Sequence, residues 1–392
     1  TCFGSAESAH LCSPLFQEHM FMRLVTAIML LFVSTTLFAQ YDTSKYVSMM
    51  NFGIVHSIST GDAVKKATGK DIVHDGLNLT LISGEAAYLD GFSFGGIFYE
   101  YTQDIDGATI AMVQLVGGNA DGAQFAMLNK VDGNLNGAQF ASVMNMVGGN
   151  VDGVQFGGII NSTPGSVDGA QFAGIANLNA DRTDGAQFAG IANITGNNVD
   201  GAQFAGIANI TGGESSGAHF AGIANIAEGH SDGAHFAGIA NISSGGMNGA
   251  KFAGIANLTD GVLDGASFAG IANIAEDVDG LTVAPFNVSR THKGVPIGLI
   301  SYVEETGFHY DLWYDDAQFT NAGLRSGNES FYNLLYIGAR TGGDTTRFTI
   351  GAGLGSHIAL SDRAGLEIGL STQYLFDEHS WDRGLTMLNA LD

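Results

Sequence analysis

Asp200-Gly201-Ala202-Gln203-Phe204-Ala205-Gly206-Ile207-Ala208-Asn209-Ile210, followed by Thr211-Gly212-Gly213-Glu214-Ser215, is one copy of a repeat whose spacing decides the fold. Its phenylalanine recurs at Phe140, Phe156, Phe172, Phe188, Phe204, Phe220, Phe236, Phe252 and Phe268, always 16 residues apart. Weaker copies extend the series upstream through Leu79, Phe94, Ile110 and Phe125, and downstream through Val283 and Ile297, with steps of 14 to 16. Aromatic and β-branched residues favour extended chain, and the Gly, Asn, Asp and Ser cluster supplies a turn. Repeated glycines, at about 1 kcal/mol each relative to Ala, argue against a helix.

Two architectures can use such a unit. In a parallel solenoid each unit is one coil, with equivalent residues stacked about 4.8 Å apart; in an antiparallel meander each unit is one strand and a loop. Surface loops absorb insertions cheaply, whereas a coil that changes length disturbs its ladders. The invariant step therefore predicts an all-β fold: a β-solenoid with 16-residue coils over residues 75–301. Phe is expected to stack on Phe inside, and Asn177, Asn193, Asn209, Asn225, Asn241, Asn257 and Asn273 to form an amide ladder. The alternative is an outer-membrane-like β-barrel with the repeats as strands. Solenoid ends expose unpaired backbone, so residues 40–74 are expected to cap one end.

Outside the array, residues 1–19 are read as an upstream artefact and 20–39 as a signal peptide. Met20 or Met22, Arg23, an apolar run over 24–38 and the small Ala39 before Gln40 carry that reading. Cys2 and Cys12 both precede it, which leaves the mature chain without a disulfide framework. Acids outnumber bases 39 to 15, for a net charge of -24, and exclude nucleic acid as a natural partner.

From residue 302 to 392 the repeat gives way to alternation, as in Phe308, Tyr310, Leu312 and Tyr314, and in Phe348, Ile350, Ala352 and Leu354. This predicts an antiparallel β-meander of four to six strands, where the smallest membrane barrels need about eight. It is expected either to be truncated, the preferred reading, or to be a soluble cap; membrane association through this region is the partner it suggests.

The unit GAQFAGIANI, with GVQFGGIIN at 153–161 and GVPIGLISY at 294–302, resembles the bacterial surface-repeat family, whose units read G-[VL]-Q-[IL]-[GA]-[LIF]-[VIA]-N. The match covers about residues 75–376 and departs in placing Phe where an aliphatic residue is commoner. The resemblance implies a surface or envelope location and partner, and supplies no catalytic residues.

No catalytic, cofactor or metal residue is assigned, and the chain is not expected to be an enzyme. The Asp row (Asp152, Asp168, Asp184, Asp200, Asp232, Asp264) is read as tight-turn chemistry before Gly instead of a calcium ladder. His219 and His235 occupy the Gln position, with Glu228, His230 and Asp232 nearby. Since that position also takes Lys and Ser, it is read as an exposed, tolerant row in preference to a metal site. Ala67-Thr68-Gly69-Lys70 lacks the glycine-rich loop of a phosphate site. Asn-Ile-Thr at 193–195 and 209–211 is the Asn row meeting the turn, not a glycan acceptor. Ice binding lacks regular Thr rows. The function expected is a non-enzymatic spacer or interaction surface of the envelope; the alternatives are an outer-membrane β-barrel protein and a carbohydrate-active β-helix enzyme.

Overall fold

The computed structural model describes residues 45–55, 58–342, 345–361, 364–377 and 380–391. Residues 20–39, read above as a signal peptide, lie outside the described residues. The described residues form two compact units, divided between Gly157 and Gly158.

In the second unit each repeat is one coil. A seven-residue strand such as Val199–Ala205 leads through a two-residue corner to the four-residue strand Ala208–Thr211. Both strands pair in parallel with their counterparts one repeat away, Phe188 opposite Phe204 opposite Phe220 and Asn193 opposite Asn209 opposite Asn225. The solenoid expected from the fixed step is thus the fold. The reading of the repeats as barrel strands falls, because adjoining barrel strands run antiparallel. Downstream the ladder tolerates shorter coils, with Val283 opposite Ile297 and Asn273 opposite Asn287.

The first unit is built the same way. Leu79, Phe94, Ile110, Phe125, Phe140 and Phe156 pair in that order. The ladder starts earlier than residue 75, since Lys45–Val55 pairs in parallel with Asp71–Thr80 and sets Phe52 opposite Leu79. The intervening helix Thr60–Thr68 meets the interior at its first residue, where the Thr60 hydroxyl donates to Asn51 Oδ1 at 2.7 Å.

The interior reverses one expectation. Phe does not stack inside; along Val199–Ala205, Val199 and Gln203 point in, while Asp200 and Phe204 point out. Gln203 is 0% exposed and Phe220 37%. The Phe rings of the second unit instead stack on the outer surface, 4.8–5.0 Å apart between centroids and within 3° of parallel. Each ring loses most of its face to its two neighbours, so hydrophobic burial is achieved along the stack rather than across a core. The inward positions go to amides because an identical coil above and below can satisfy every amide hydrogen.

The Asp-Gly pair also differs from expectation. It sits inside a strand, where the glycine bends the backbone, instead of in a turn between strands. Gly201 has φ +137°, and a Cβ there would lie 2.0 Å from the Gly185 carbonyl oxygen. Gly201→Ala should therefore destabilise its coil by about 2–3 kcal/mol through backbone strain and overpacking. Faster amide exchange confined to residues 183–221 is the expected signature, and unchanged exchange there would refute it.

The meander after the solenoid is a six-stranded antiparallel sheet running in sequence order from Phe308–Tyr314 to Ser380–Leu391. Its second and third strands cover the last coil. Asn333 Nδ2 donates to Ser301 Oγ at 2.9 Å, and Asn287 Nδ2 donates to the same oxygen at 3.1 Å. The sheet thus receives the end of the amide ladder.

Candidate interaction surface

Each Asn of the ladder uses both amide hydrogens. Asn209 Nδ2 donates to Asn225 Oδ1 and to the Phe220 carbonyl, both at 2.9 Å, and its Oδ1 accepts from Asn193. Asn193 and Asn209 are buried, so neither is presented as a glycan acceptor. The Thr positions after them, Thr195 and Thr211, are buried too, and offer no row to ice.

The second amide ladder holds the residues that sequence reasoning placed outside. Gln203 Nε2 donates to Gln187 Oε1 at 2.6 Å, and Gln187 Nε2 to Gln171 Oε1 at 3.0 Å. His219 and His235 follow in register, then Lys251 and Ser267. The expected exposed, tolerant row is therefore a buried one: His219 is 2% exposed and Lys251 0%. Tolerance here is narrow, extending only to side chains that make hydrogen bonds.

Proton positions follow from the partners. Gln203 Oε1 can only accept, so His219 donates from Nδ1 (2.8 Å) and its Nε2 accepts from the Ser215 hydroxyl (2.9 Å). His235 Nε2 lies 3.3 Å from the same hydroxyl oxygen and donates to it, leaving Nδ1 unprotonated and without a partner. Both rings are neutral. Burial lowers the His219 pKa to about 4, and burial together with the neighbouring His219 and Lys251 lowers that of His235 to about 2. Lys251 donates only to neutral oxygens, Leu258 O at 2.7 Å and Thr259 Oγ1 at 2.9 Å, and burial lowers its pKa to about 7.

The remaining candidates separate. Asp200 and its row are outward, and His230 lies on the turn, its Nδ1 3.1 Å from Gly245 O. Among the described residues no group of three His, Cys, Asp or Glu side chains is placed to hold a metal. Ala67-Thr68-Gly69-Lys70 is the end of a helix, with Gly69 at φ +69° donating to Lys65 O at 2.7 Å. Helix ends of that polarity present carbonyls and repel phosphate.

The surface that stands out is apolar. In the coils of the second unit, outward positions around the Gly206-Ile207 corner carry Phe, Ile or Ala, and Ile191, Ile207, Ile223, Ile239 and Ile255 are each 42–43% exposed. The six-stranded sheet has two unlike faces. On one, register aligns Leu312, Ala322, Ile337, Ile350 and Tyr374 across five strands, with Leu312 81% and Ile337 63% exposed. On the other, Arg325 pairs with Asp311 at 2.8 Å and Glu367 at 3.2 Å, and the Tyr332 hydroxyl donates to Glu367 at 2.6 Å. Burial, reinforced by Glu367, holds that phenol well above its usual range. Tyr332 and Tyr336 lie over Gly355 and Gly351, where any Cβ would come within 2.2 Å of a ring atom.

No family model, curated protein or solved structure matches the chain. Its class is the one its geometry defines, an all-β parallel solenoid followed by an antiparallel sheet. Its interior is polar and amide-laddered beneath an apolar outer edge.

Proposed function

We propose that this chain is a non-enzymatic exported protein of the bacterial cell envelope, related to the short surface-repeat proteins, whose solenoid acts as an interaction surface and whose C-terminal sheet associates with the outer membrane. One observation carries the reading: the sheet is apolar on its exposed face, while the other face holds the Arg325, Asp311 and Glu367 charges beside a packed Tyr332, Leu334, Tyr336 and Trp313 cluster. An apolar outer face backed by charges is the patterning of a strand with lipid on one side only. Two of its strands, Arg347–Ser361 and Ala364–Asp377, have 15 and 14 residues, against the 9–11 or so that cross a bilayer. Tyr310, Tyr314, Tyr374 and Phe376 supply aromatics of the kind found in interfacial belts.

Phase separation of a cloud-point detergent tests it. The mature chain should partition into the detergent phase and remain there at high salt; a chain recovered monodisperse from the aqueous phase would overturn the membrane assignment.

A further inference from the structure

The corner where the solenoid meets the sheet, within the second unit, joins two apolar surfaces. A groove of about 530 Å³ is lined by Ala284, Pro285 and Leu299 from the coils and by Leu335, Leu354 and Leu370 from the exposed face of the sheet. The coil residues belong to the outer edge already described, since Leu299 N bonds Pro285 O just as Ile207 N bonds Ile191 O. The row that begins with Ile thus ends, through Pro285 and Leu299, at one wall of a groove whose other wall is the apolar face of the sheet.

Charge is segregated from this edge. Between residues 140 and 280 there are 13 acids and two bases. In the coils of the second unit up to residue 289 the acids occupy the position before the bend glycine or the turn between coils, as with Asp200 and Glu214. Of the bases, Arg182 lies on a turn and Lys251 inside. No outward position from the Phe row through the corner to the Ile210 row carries a charge there. At its C-terminal end, beyond the invariant Phe and Ile rows, the edge changes shape while staying apolar: Ile271, Pro285 and Leu299 follow one another in one row, and Val283 and Ile297 continue the Phe row. A protein partner demands shape complementarity, whereas an acyl phase demands only apolarity.

We propose that the Phe/Ile edge of the solenoid lies in the headgroup–acyl boundary of a phospholipid bilayer, with its acidic corner toward water, so that the solenoid is itself a membrane-surface element. The inference rests on the membrane assignment of the sheet, whose apolar face forms the other wall of the groove at which the edge ends. An acidic back makes zwitterionic lipid the favoured surface; anionic lipid should bind more weakly at low salt, and added salt should narrow the difference.

Single-cysteine variants of the full chain, with Cys2 and Cys12 replaced by Ser, test it. Ile207→Cys and Ile239→Cys report on the edge, Glu214→Cys on the acidic corner and Ile350→Cys on the sheet, each carrying a small environment-sensitive fluorophore. With phosphatidylcholine vesicles, brominated acyl chains should quench the edge probes by roughly twofold while the Glu214 probe stays open to aqueous iodide. Having two edge probes guards against one variant misfolding. Edge probes open to iodide while Ile350 is lipid-quenched would overturn the edge proposal and leave the sheet reading standing. Edge probes in lipid with Ile350 in water would do the reverse. Edge probes shielded without vesicles, in proportion to protein concentration, would assign the edge to a second copy of the chain and overturn the lipid proposal.

Discussion

Asn209→Asp should unfold the coils around residue 209 more severely than any apolar truncation of similar size. The two side chains have nearly the same shape, so the change isolates the role of the amide hydrogens. Asn209 Nδ2 donates to Asn225 Oδ1 and to Phe220 O, two atoms that can only accept. A carboxylate oxygen in its place would face both at about 2.9 Å with no proton between them. The residue is 1% exposed, so the charge would be taken out of water with a single donor, Asn193, to offset it. Breaking a buried charged or polar arrangement in this way costs about 3–5 kcal/mol. The carboxyl would escape part of that cost by taking up a proton, so the variant should regain stability as pH falls. Urea unfolding followed by amide exchange on residues 193–226 measures both effects. A variant as stable as the native chain at pH 7 would show that the ladder is not what holds neighbouring coils in register.

The solenoid was legible in the sequence because a fixed step is a geometric statement: only coils that stack directly need every unit to have the same length. The Asn row was legible for the same reason, since identical amides in register satisfy one another. The inside-out arrangement of Phe204 and Gln203 was misread because large apolar side chains are expected inside and amides outside. That rule assumes a core in which unlike elements meet, and here like meets like. A signal was nevertheless present. Phe204 shares the parity of Asp200, which has no reason to point inward, and Gln203 shares that of Val199. The substitutions at the Gln position are also restricted to His, Lys and Ser, each capable of hydrogen bonding. The start of the ladder at Lys45–Val55 was hidden because the helix Thr60–Thr68 lengthens that step to 27 residues between Phe52 and Leu79. The two unlike faces of the C-terminal sheet were visible as alternation, but its reception of the amide ladder through Asn333 was not. That contact joins residues 32 apart with no periodic relation.

The three titratable interruptions of the Gln ladder, His219, His235 and Lys251, make the solenoid acid-sensitive, and removing them should make it markedly more stable. In the unfolded chain Lys251 takes up its proton at its ordinary value of 10.5, but in the folded chain only at about 7. Across that window the unfolded state holds the extra proton, so stability falls as pH drops from about 10.5 to about 7 and the loss is complete below it. His219 and His235 repeat the pattern lower down. Unfolded, they protonate near 6.5; folded, near 4 and near 2. A second loss therefore begins below about pH 6.5 and grows until those folded values are reached. It is driven by burial, because no acidic side chain is hydrogen-bonded or ion-paired to either ring and protonation would set two cations one coil apart beside a third at Lys251. Gln at all three positions would extend the run Gln171, Gln187 and Gln203 with side chains that donate and accept in the same register. Lys251→Gln alone should stabilise the chain at pH 7 by about 2–4 kcal/mol, and the triple replacement by about 5 kcal/mol or more at pH 4. Amide exchange on residues 215–259, compared at pH 7 and pH 4, reads the difference coil by coil. A triple variant that loses protection between those two pH values as steeply as the native chain would place the acid sensitivity elsewhere, in the carboxylates of the outer corner.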